Sequence, residues 1–124
     1  MANGYIKHTT NTVEQIIIAL FKAQIPKVPV GAELPADPSI PYIIIEKTGG
    51  GLEETISSAT VAVQSYGITL EDAMGLNESV KDIMINELIK EPEICNVTLN
   101  TDYNFTDTTA ERYRYQAVFD IKYY

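Results

Sequence analysis

A chain of 124 residues is long enough for one compact domain and too short for two, since a single core usually occupies about 100–150 residues. With 45% hydrophobic and 21% charged residues, the composition is globular and excludes a collagen-like or wholly disordered chain. Nine basic against seventeen acidic residues give a net charge of −8, which argues against a surface that neutralises the phosphates of DNA or RNA. We therefore expect one acidic domain over residues 1–124 that binds no specific nucleic-acid sequence.

The single cysteine, Cys95, excludes an intramolecular disulfide and a thiolate zinc cluster, and it favours an intracellular site of synthesis. The first residues, from Met1 to His8, lack the basic and apolar segments of a signal peptide. No apolar run approaches the ~20 residues that span a bilayer. Secretion and membrane association are therefore not expected.

The first helix is predicted from an apolar stripe with i, i+3, i+4, i+7 and i+8 spacing, which starts at Val13 and ends at Phe21. Thr12 and Gln15 have the spacing of a capping box at its start. A Gln-Ile-Pro sequence then forces the helix to end, because the residue before a proline disfavours helical geometry. The helix is expected over residues 12–23.

A proline-rich connector follows, since five of the six prolines fall within residues 25–41, where neither a helix nor a central strand can persist. Loops longer than about 12–15 residues are usually linkers or binding elements. The connector either wraps its own domain in an extended conformation or forms an arm that contacts a neighbour. Proline content sets its stiffness and does not distinguish these two roles.

The first pair of strands is predicted from Tyr42 to Lys47, which is rich in β-branched residues, and from Thr55 to Tyr66, where polar and apolar residues alternate. The two strands should be antiparallel. Residues 48–55 between them are predicted to form a flexible, acidic, glycine-rich loop. The loop residues of interest are Gly49, Gly50, Gly51, Leu52, Glu53 and Glu54.

A second helix is predicted from the Thr69 and Asp72 capping pair and from apolar positions that keep helical spacing from Ala73 to Leu88. Its opposite side is charged, so one side should pack and the other should face water. Gly75 within it costs about 1 kcal/mol relative to alanine. That cost predicts a close approach of another backbone at Gly75.

A second hairpin is predicted from Cys95 to Tyr103 and from Glu111 to Tyr124. The last strand alternates, with Tyr113, Tyr115, Ala117, Phe119, Ile121 and Tyr123 on one face and Arg112, Arg114, Gln116, Asp120 and Lys122 on the other. Fully extended at ~3.3 Å per residue, it would span roughly 45 Å, against a radius of gyration of about 14 Å for the domain. The hairpin should therefore bend or project, and a projecting strand favours an oligomer.

No motif in the chain indicates catalysis. The three glycines lack the Gly-Lys-Ser/Thr ending of a phosphate-binding loop and precede two glutamates that would repel phosphate. His8 is the only histidine and has no partner at triad or ligand spacing, and Cys95 is interpreted as a small core residue. No catalytic residue is therefore assigned.

Two sets of charged residues leave alternatives open. Asp102, Asp107 and Asp120 could gather around a hard cation, but their spacing does not match an EF-hand, and we predict no metal site or cofactor. Arg112 and Arg114 share a strand face, where they could bind a carboxylate of the same subunit or of the next.

The order helix, connector, hairpin, helix, hairpin predicts an α+β domain: a four-stranded, mainly antiparallel sheet with two helices packed on one face, in the order α-β-β-α-β-β. Several patterns are spread along nearly the whole chain: Leu34-Pro-Ala-Asp-Pro38, Pro41-Tyr-Ile-Ile-Ile-Glu46, Gly49-Gly50-Gly51, Ala62-Val-Gln-Ser-Tyr-Gly67, the helix from Glu71 and Ala73, and Arg112-Tyr-Arg-Tyr-Gln116. In this order they resemble the tail terminator proteins of long-tailed bacteriophages.

The resemblance implies a structural protein of the virion tail, assembled in the host cytoplasm and without enzymatic activity. Members of that family form a hexameric ring on the last ring of the tail tube, stop its polymerisation, and offer the opposite face to the head. The implied partners are other copies of the chain, the tail tube protein and the head-tail connector protein.

The family has no catalytic residues to carry over, so the expected sites are interfaces. Residues 49–54 are expected to face the tail tube, the alternative being a hairpin tip without a role. Arg112, Arg114 and Gln116 are expected along the ring interface or lumen, the alternative for the arginines being a cross-strand charge pair within the chain.

Two other functions fit the predicted fold class. One is a small oligomeric ligand-binding or regulatory α+β domain that holds a metabolite between subunits. The other is a hydrolase of acylphosphatase-like size, which would need a basic, anion-cradling loop that this sequence lacks.

Overall fold

The computed structural model describes residues 12–35, 40–110 and 112–124, so His8 lies outside the described residues. A π-helical turn, Ile83–Glu87, and a 3-10 turn, Leu88–Lys90, continue the second helix. The helices and strands, in chain order, are α1 Val13–Gln24, β1 Val30–Gly31, β2 Tyr42–Glu53, β3 Ile56–Gly67, α2 Leu70–Asp82, β4 Ile94–Asn104 and β5 Tyr113–Tyr123. The predicted α+β class is confirmed.

The sheet of the described residues has five strands in the order β1-β2-β3-β5-β4, so the prediction of four strands is wrong. The additional strand, β1, lies in the proline-rich connector and pairs in parallel with Ile43 and Ile44 of β2. All other pairs are antiparallel. A two-residue strand is too short to show alternation in the sequence, and the prolines around it disfavour any strand. The observed order is α-β-β-β-α-β-β.

The connector, as far as it is described, lies along its own sheet. The backbone N–H of Ile43 donates to the carbonyl of Pro29 at 2.9 Å, and the Tyr42 hydroxyl donates to the carbonyl of Glu33 at 3.2 Å. Residues 36–39 lie outside the described residues. Of the two roles predicted for the connector, its described part takes the one that wraps the domain.

The predicted loop over residues 48–55 is instead mostly strand. β2 continues through the three glycines to Glu53 and pairs with β3, after a bulge between Lys47 and Gly49. Only Glu54 and Thr55 turn, with Glu54 at a φ of 58°. Glycine disfavours strands intrinsically, but the hydrogen-bond ladder with β3 overrides that preference, and this ladder is not visible in the glycine sequence itself.

The core lies between one face of the sheet and both helices. β5 contributes Ala117, Phe119 and Ile121, each at most 1% exposed, which confirms the alternation of the last strand. Ile17 and Phe21 of α1 are fully buried against the same face. The opposite face of the sheet carries no helix among the described residues, and we call it the helix-free face.

The helix starts follow the sequence signals. At α1 the capping box is complete, because Thr12 Oγ1 accepts from the Gln15 N–H and Gln15 Oε1 accepts from the Thr12 N–H. At α2 the Thr69 hydroxyl accepts from the Asp72 N–H at 3.1 Å. Within the described ranges, neither helix has the length and apolarity that crossing a bilayer requires.

The close backbone approach predicted at Gly75 occurs at Gly67 instead. A Cβ at Gly75 would meet nothing within 4 Å, whereas a Cβ at Gly67 would lie 2.4 Å from the backbone N of Ala73. Gly67 ends β3 where the first turn of α2 crosses it, so only a residue without a side chain fits there. This contact determines how closely α2 packs on the sheet.

Gly67→Ala is expected to lower the free energy of unfolding by about 1–3 kcal/mol, because the added methyl group would overlap the Ala73 backbone. Gly75→Ala is the matched control, and it should raise that free energy by about 0.5–1 kcal/mol, since alanine is the better helix former. Urea denaturation measures both effects. A Gly67→Ala protein as stable as the wild type would contradict the tight crossing.

Candidate assembly surfaces

A chain of hydrogen bonds crosses three strands on the helix-free face. Arg114 Nη1 donates to the Tyr66 hydroxyl at 2.8 Å, and that hydroxyl donates to Gln64 Oε1 at 3.1 Å. Gln64 Nε2 donates to Gln116 Oε1 at 3.1 Å, and Gln116 Nε2 donates to the Tyr103 hydroxyl at 2.6 Å. Each donor in this series therefore has an acceptor in the next side chain. We call the five side chains, Arg114, Tyr66, Gln64, Gln116 and Tyr103, the donor chain.

Arg114 is held by its own chain. Its guanidinium lies 4.2 Å from the ring centroid of Phe105 and 5.7 Å from that of Tyr66, and it also donates to the Phe105 carbonyl. These cation–π contacts and hydrogen bonds engage the group from several sides. The structure thus brings Arg114 and Gln116 together, as predicted, but it uses both in intramolecular contacts.

Arg112 stands apart from the donor chain. Its backbone exchanges two hydrogen bonds with Asp107, at 2.9 and 3.0 Å, which close the turn between β4 and β5. Neither Arg112 nor Arg114 forms an ion pair with a carboxylate of the described residues, so the cross-strand charge pair considered as the alternative for these arginines is absent there.

The three aspartates considered as cation ligands point to different places. Asp120 accepts from Thr60 and Asn100 on the helix-free face, at 3.1 and 3.0 Å. Asp107 accepts from backbone N–H groups of its own turn, and Asp102 faces α2. Within the described ranges, no three His, Cys, Asp or Glu side chains gather in a way that could hold a metal ion.

Lys81 connects α2 to β4. Its Nζ lies 2.7 Å from Glu78 Oε2 and 3.0 Å from Asp102 Oδ2, and Asn77 Nδ2 donates to that same oxygen at 2.9 Å. The hydrogen bond to Glu78, followed by that to Asp102, raises the pKa of Lys81 above its ordinary value of 10.5. The cluster therefore favours the charged lysine.

The tip of the β2–β3 hairpin extends beyond the core. Side chains from Glu46 to Glu53 are exposed on both faces of β2, and Leu52 is 73% exposed. A groove of about 670 Å³ lies at the tip. Its lining includes Leu52, Glu53, Glu54, Ile56 and Lys122. The predicted tube-facing residues thus divide into a tip, residues 52–54, and a strand edge, residues 49–51.

Sequence reasoning missed Gln64, Tyr66 and Tyr103 as members of the polar surface. The signal available was the alternation of β3, which put Gln64 and Tyr66 on the same face. Their partners on β4 and β5 depend on strand order and register. The alternation within a single strand reveals neither the order nor the register.

Comparison with known proteins shows a likeness in fold and none in sequence. No protein-family model matches this sequence, and no curated protein sequence matches it either. Among solved structures, the chain is similar to a chain of the virion of a native gene transfer agent particle, with a TM-score of 0.62. The match covers 90% of this chain and 93% of that one. At 11% sequence identity, the likeness establishes a shared fold.

Tyr103→Phe is expected to lower the free energy of unfolding by about 1 kcal/mol, because it removes the acceptor of the Gln116 side-chain N–H. Tyr113→Phe is the control, since Tyr113 has a similar exposure and its hydroxyl bonds to no other residue in the described part of the chain. Denaturation curves of both variants provide the test. Equal losses in the two would argue against a stabilising donor chain.

The contribution of Lys81 to stability depends on pH. Because folding raises its pKa, the contribution is complete below 10.5 and is lost as the pH rises through the higher folded value. The difference in unfolding free energy between wild type and Lys81→Met, about 1 kcal/mol or less, should stay constant up to about pH 10 and then shrink. Lys90→Met, which removes an exposed i,i+3 pair, is the control. A difference that grows with alkaline pH would refute this role.

Proposed function

We propose that this chain is a structural protein of a phage-like virion, forming a ring that caps the tail tube, ends its polymerisation and joins the tail to the head. The observation that carries the proposal is the likeness of its fold, over nine-tenths of the chain, to a chain of a gene transfer agent virion. The order of sequence patterns that resembles phage tail terminators agrees with it. The tail-capping role is argued from that resemblance and from the surfaces of the molecule.

The hairpin tip supports a contact with the tail tube. Leu52 is the most exposed large apolar side chain among the described residues, and it lies near the end of β2, paired with Ser57 of β3. Two glutamates, Glu53 and Glu54, follow it. Ile56 is also exposed and lines the same groove. Apolar surface with charges at its rim is typical of a protein contact, because the apolar part supplies burial and the charges supply specificity.

The helix-free face supports a role in the ring wall. Its donor chain leaves Arg114 and Gln116 engaged within the chain, so this face is polar and preorganised. In the proposal these residues line the ring interface or the lumen. The proposed partners are further copies of the chain, the tail tube protein and the head-tail connector protein. The proposal includes no enzymatic activity and no cofactor.

The test is deletion of the gene from the phage or prophage that carries it, followed by electron microscopy of the particles. We expect tubes of uncontrolled length without heads, and recovery when the gene is supplied in trans. Tubes of normal length joined to heads in the deletion strain would overturn the proposal.

Two surface variants sharpen this experiment. Leu52→Asp should fold and yet fail to restore tube length, because it adds a charge to the hairpin tip. Ile68→Asp is the matched control: Ile68 is 66% exposed, close to Leu52, but it follows Gly67 at the other end of β3. It should restore tube length. Identical complementation by both variants would remove the tip from the contact.

A further inference from the structure

At both lateral edges of the sheet, part of the strand backbone is not paired with any other strand of the described residues. On one side, β1 covers only Ile43 and Ile44, so β2 is open from Glu46 to Glu53. On the other side, β4 is open along its whole length. Free N–H and C=O groups of this kind are a template for pairing with another strand.

The two open edges lie at the same height in the sheet. Three rows of directly paired residues cross it from β2, through β3 and β5, to β4. The rows are Gly49, Thr60, Asp120 and Thr98; Gly50, Ala59, Ile121 and Val97; and Gly51, Ser58, Lys122 and Asn96. The glycine segment of β2 is therefore level with residues 96–98 of β4.

The strand directions allow these edges to pair between copies. Along the rows, β2 runs from Gly49 to Gly51 toward the hairpin tip, whereas β4 runs from Asn96 to Thr98 away from it. A second copy in the same orientation can then place its β4 antiparallel to β2 of the first. If the ring axis runs parallel to the strands, copies that pair through level edges are not displaced along that axis. A head-to-tail contact without such a displacement can close into a ring rather than form a helical filament.

Gly49 leaves room for a close neighbour, whereas Gly50 is required by its own chain, because a Cβ there would lie 2.9 Å from the carbonyl oxygen of Ser58. A Cβ at Gly49 would find its nearest atom 4.0 Å away, so nothing in the described chain requires glycine there. Glycine nevertheless weakens a strand by roughly 0.5–1 kcal/mol relative to alanine. Gly49 and Gly51 share the helix-free face with Thr98 and Asn96 of β4. Side chains of an incoming β4 therefore meet an edge without side chains.

The β4 edge lacks the charges that usually keep an edge strand single. Its only charged residue is Asp102, which Lys81 and Asn77 of α2 already engage. Register shifts interrupt β4 on either side of residues 96–99 and interrupt β2 before Gly49. The segments that are both regular and level are residues 49–51 of β2 and residues 96–98 of β4.

We propose that the edge of β2 at residues 49–51 pairs, antiparallel, with β4 residues 96–98 of a second copy of this chain, so that each copy uses both edges and the sheets close into a ring. The inference rests on the proposed ring and specifies its lateral contact. A two-fold pairing of β4 with β4 would leave β2 open in every copy. The hairpin tip remains free at one rim of the ring.

Cysteine pairs test the contact in a Cys95→Ser background. Gly49→Cys with Thr98→Cys in one chain places two thiols about 14 Å apart within a copy, three strand spacings, which is too far for an internal bridge. Across the proposed contact they face each other directly, close to bridging distance. Oxidation should convert most monomer into a ladder of multimers that reducing agent reverses.

Gly51→Cys with Asn96→Cys is the second pair, used in case one pair disturbs folding, and circular dichroism verifies each variant. Gly75→Cys with Thr98→Cys is the control, because Gly75 lies on the exposed side of α2, away from both edges. It should give no ladder. Thr98→Cys alone separates the alternatives: efficient dimers of this single variant would indicate β4–β4 pairing and overturn the proposal.

The mass of the wild type in solution, from light scattering, separates the two hypotheses. Oligomers without a ladder from either cysteine pair would overturn the β2–β4 contact and leave the proposed ring intact. A ladder from a protein whose gene deletion leaves tails normal would support the contact and overturn the tail function. A monomeric wild type without a ladder would overturn the contact and the preassembled ring together.

Discussion

The pairing of β3 with β5 is the interaction on which the rest of the fold depends. Eleven consecutive residue pairs join the two strands without a register shift, from Ser57 and Tyr123 to Gly67 and Tyr113. β2 pairs with β3, β4 pairs with β5, and α2 packs across this central pair. The pairing also aligns the core residues of one face and the donor chain of the other, because a shift of one residue would exchange the two faces.

Much of the fold follows from local chemistry. The capping residues Thr12 and Thr69 begin the two helices, and the alternation around Phe119 identifies the buried face of β5. These signals are readable because each depends on neighbours within a few residues along the chain. The two helices, the two hairpins and the α+β class could therefore be predicted.

The remainder depends on contacts between distant residues. β1 consists of two residues held by β2, and the glycine segment of β2 is a strand only because β3 runs beside it. The close approach at Gly67 depends on the crossing point of α2, which no sequence window contains. The candidate surfaces show the same division: the exposed tip at Leu52 could be anticipated, whereas the partners of Arg114 required the strand order.

The donor chain has a further electrostatic consequence. Its four side-chain hydrogen bonds form one donor-to-acceptor series, which starts at the guanidinium of Arg114 and ends at the hydroxyl of Tyr103. In such a series each hydrogen bond polarises the group that donates the next one, so the bonds strengthen one another. The series ends on the outermost strand, at the half-exposed Tyr103, whose own O–H is left to donate. A molecule that docks on this strand therefore meets a strengthened proton donor, and a carbonyl or carboxylate oxygen is the group that matches it.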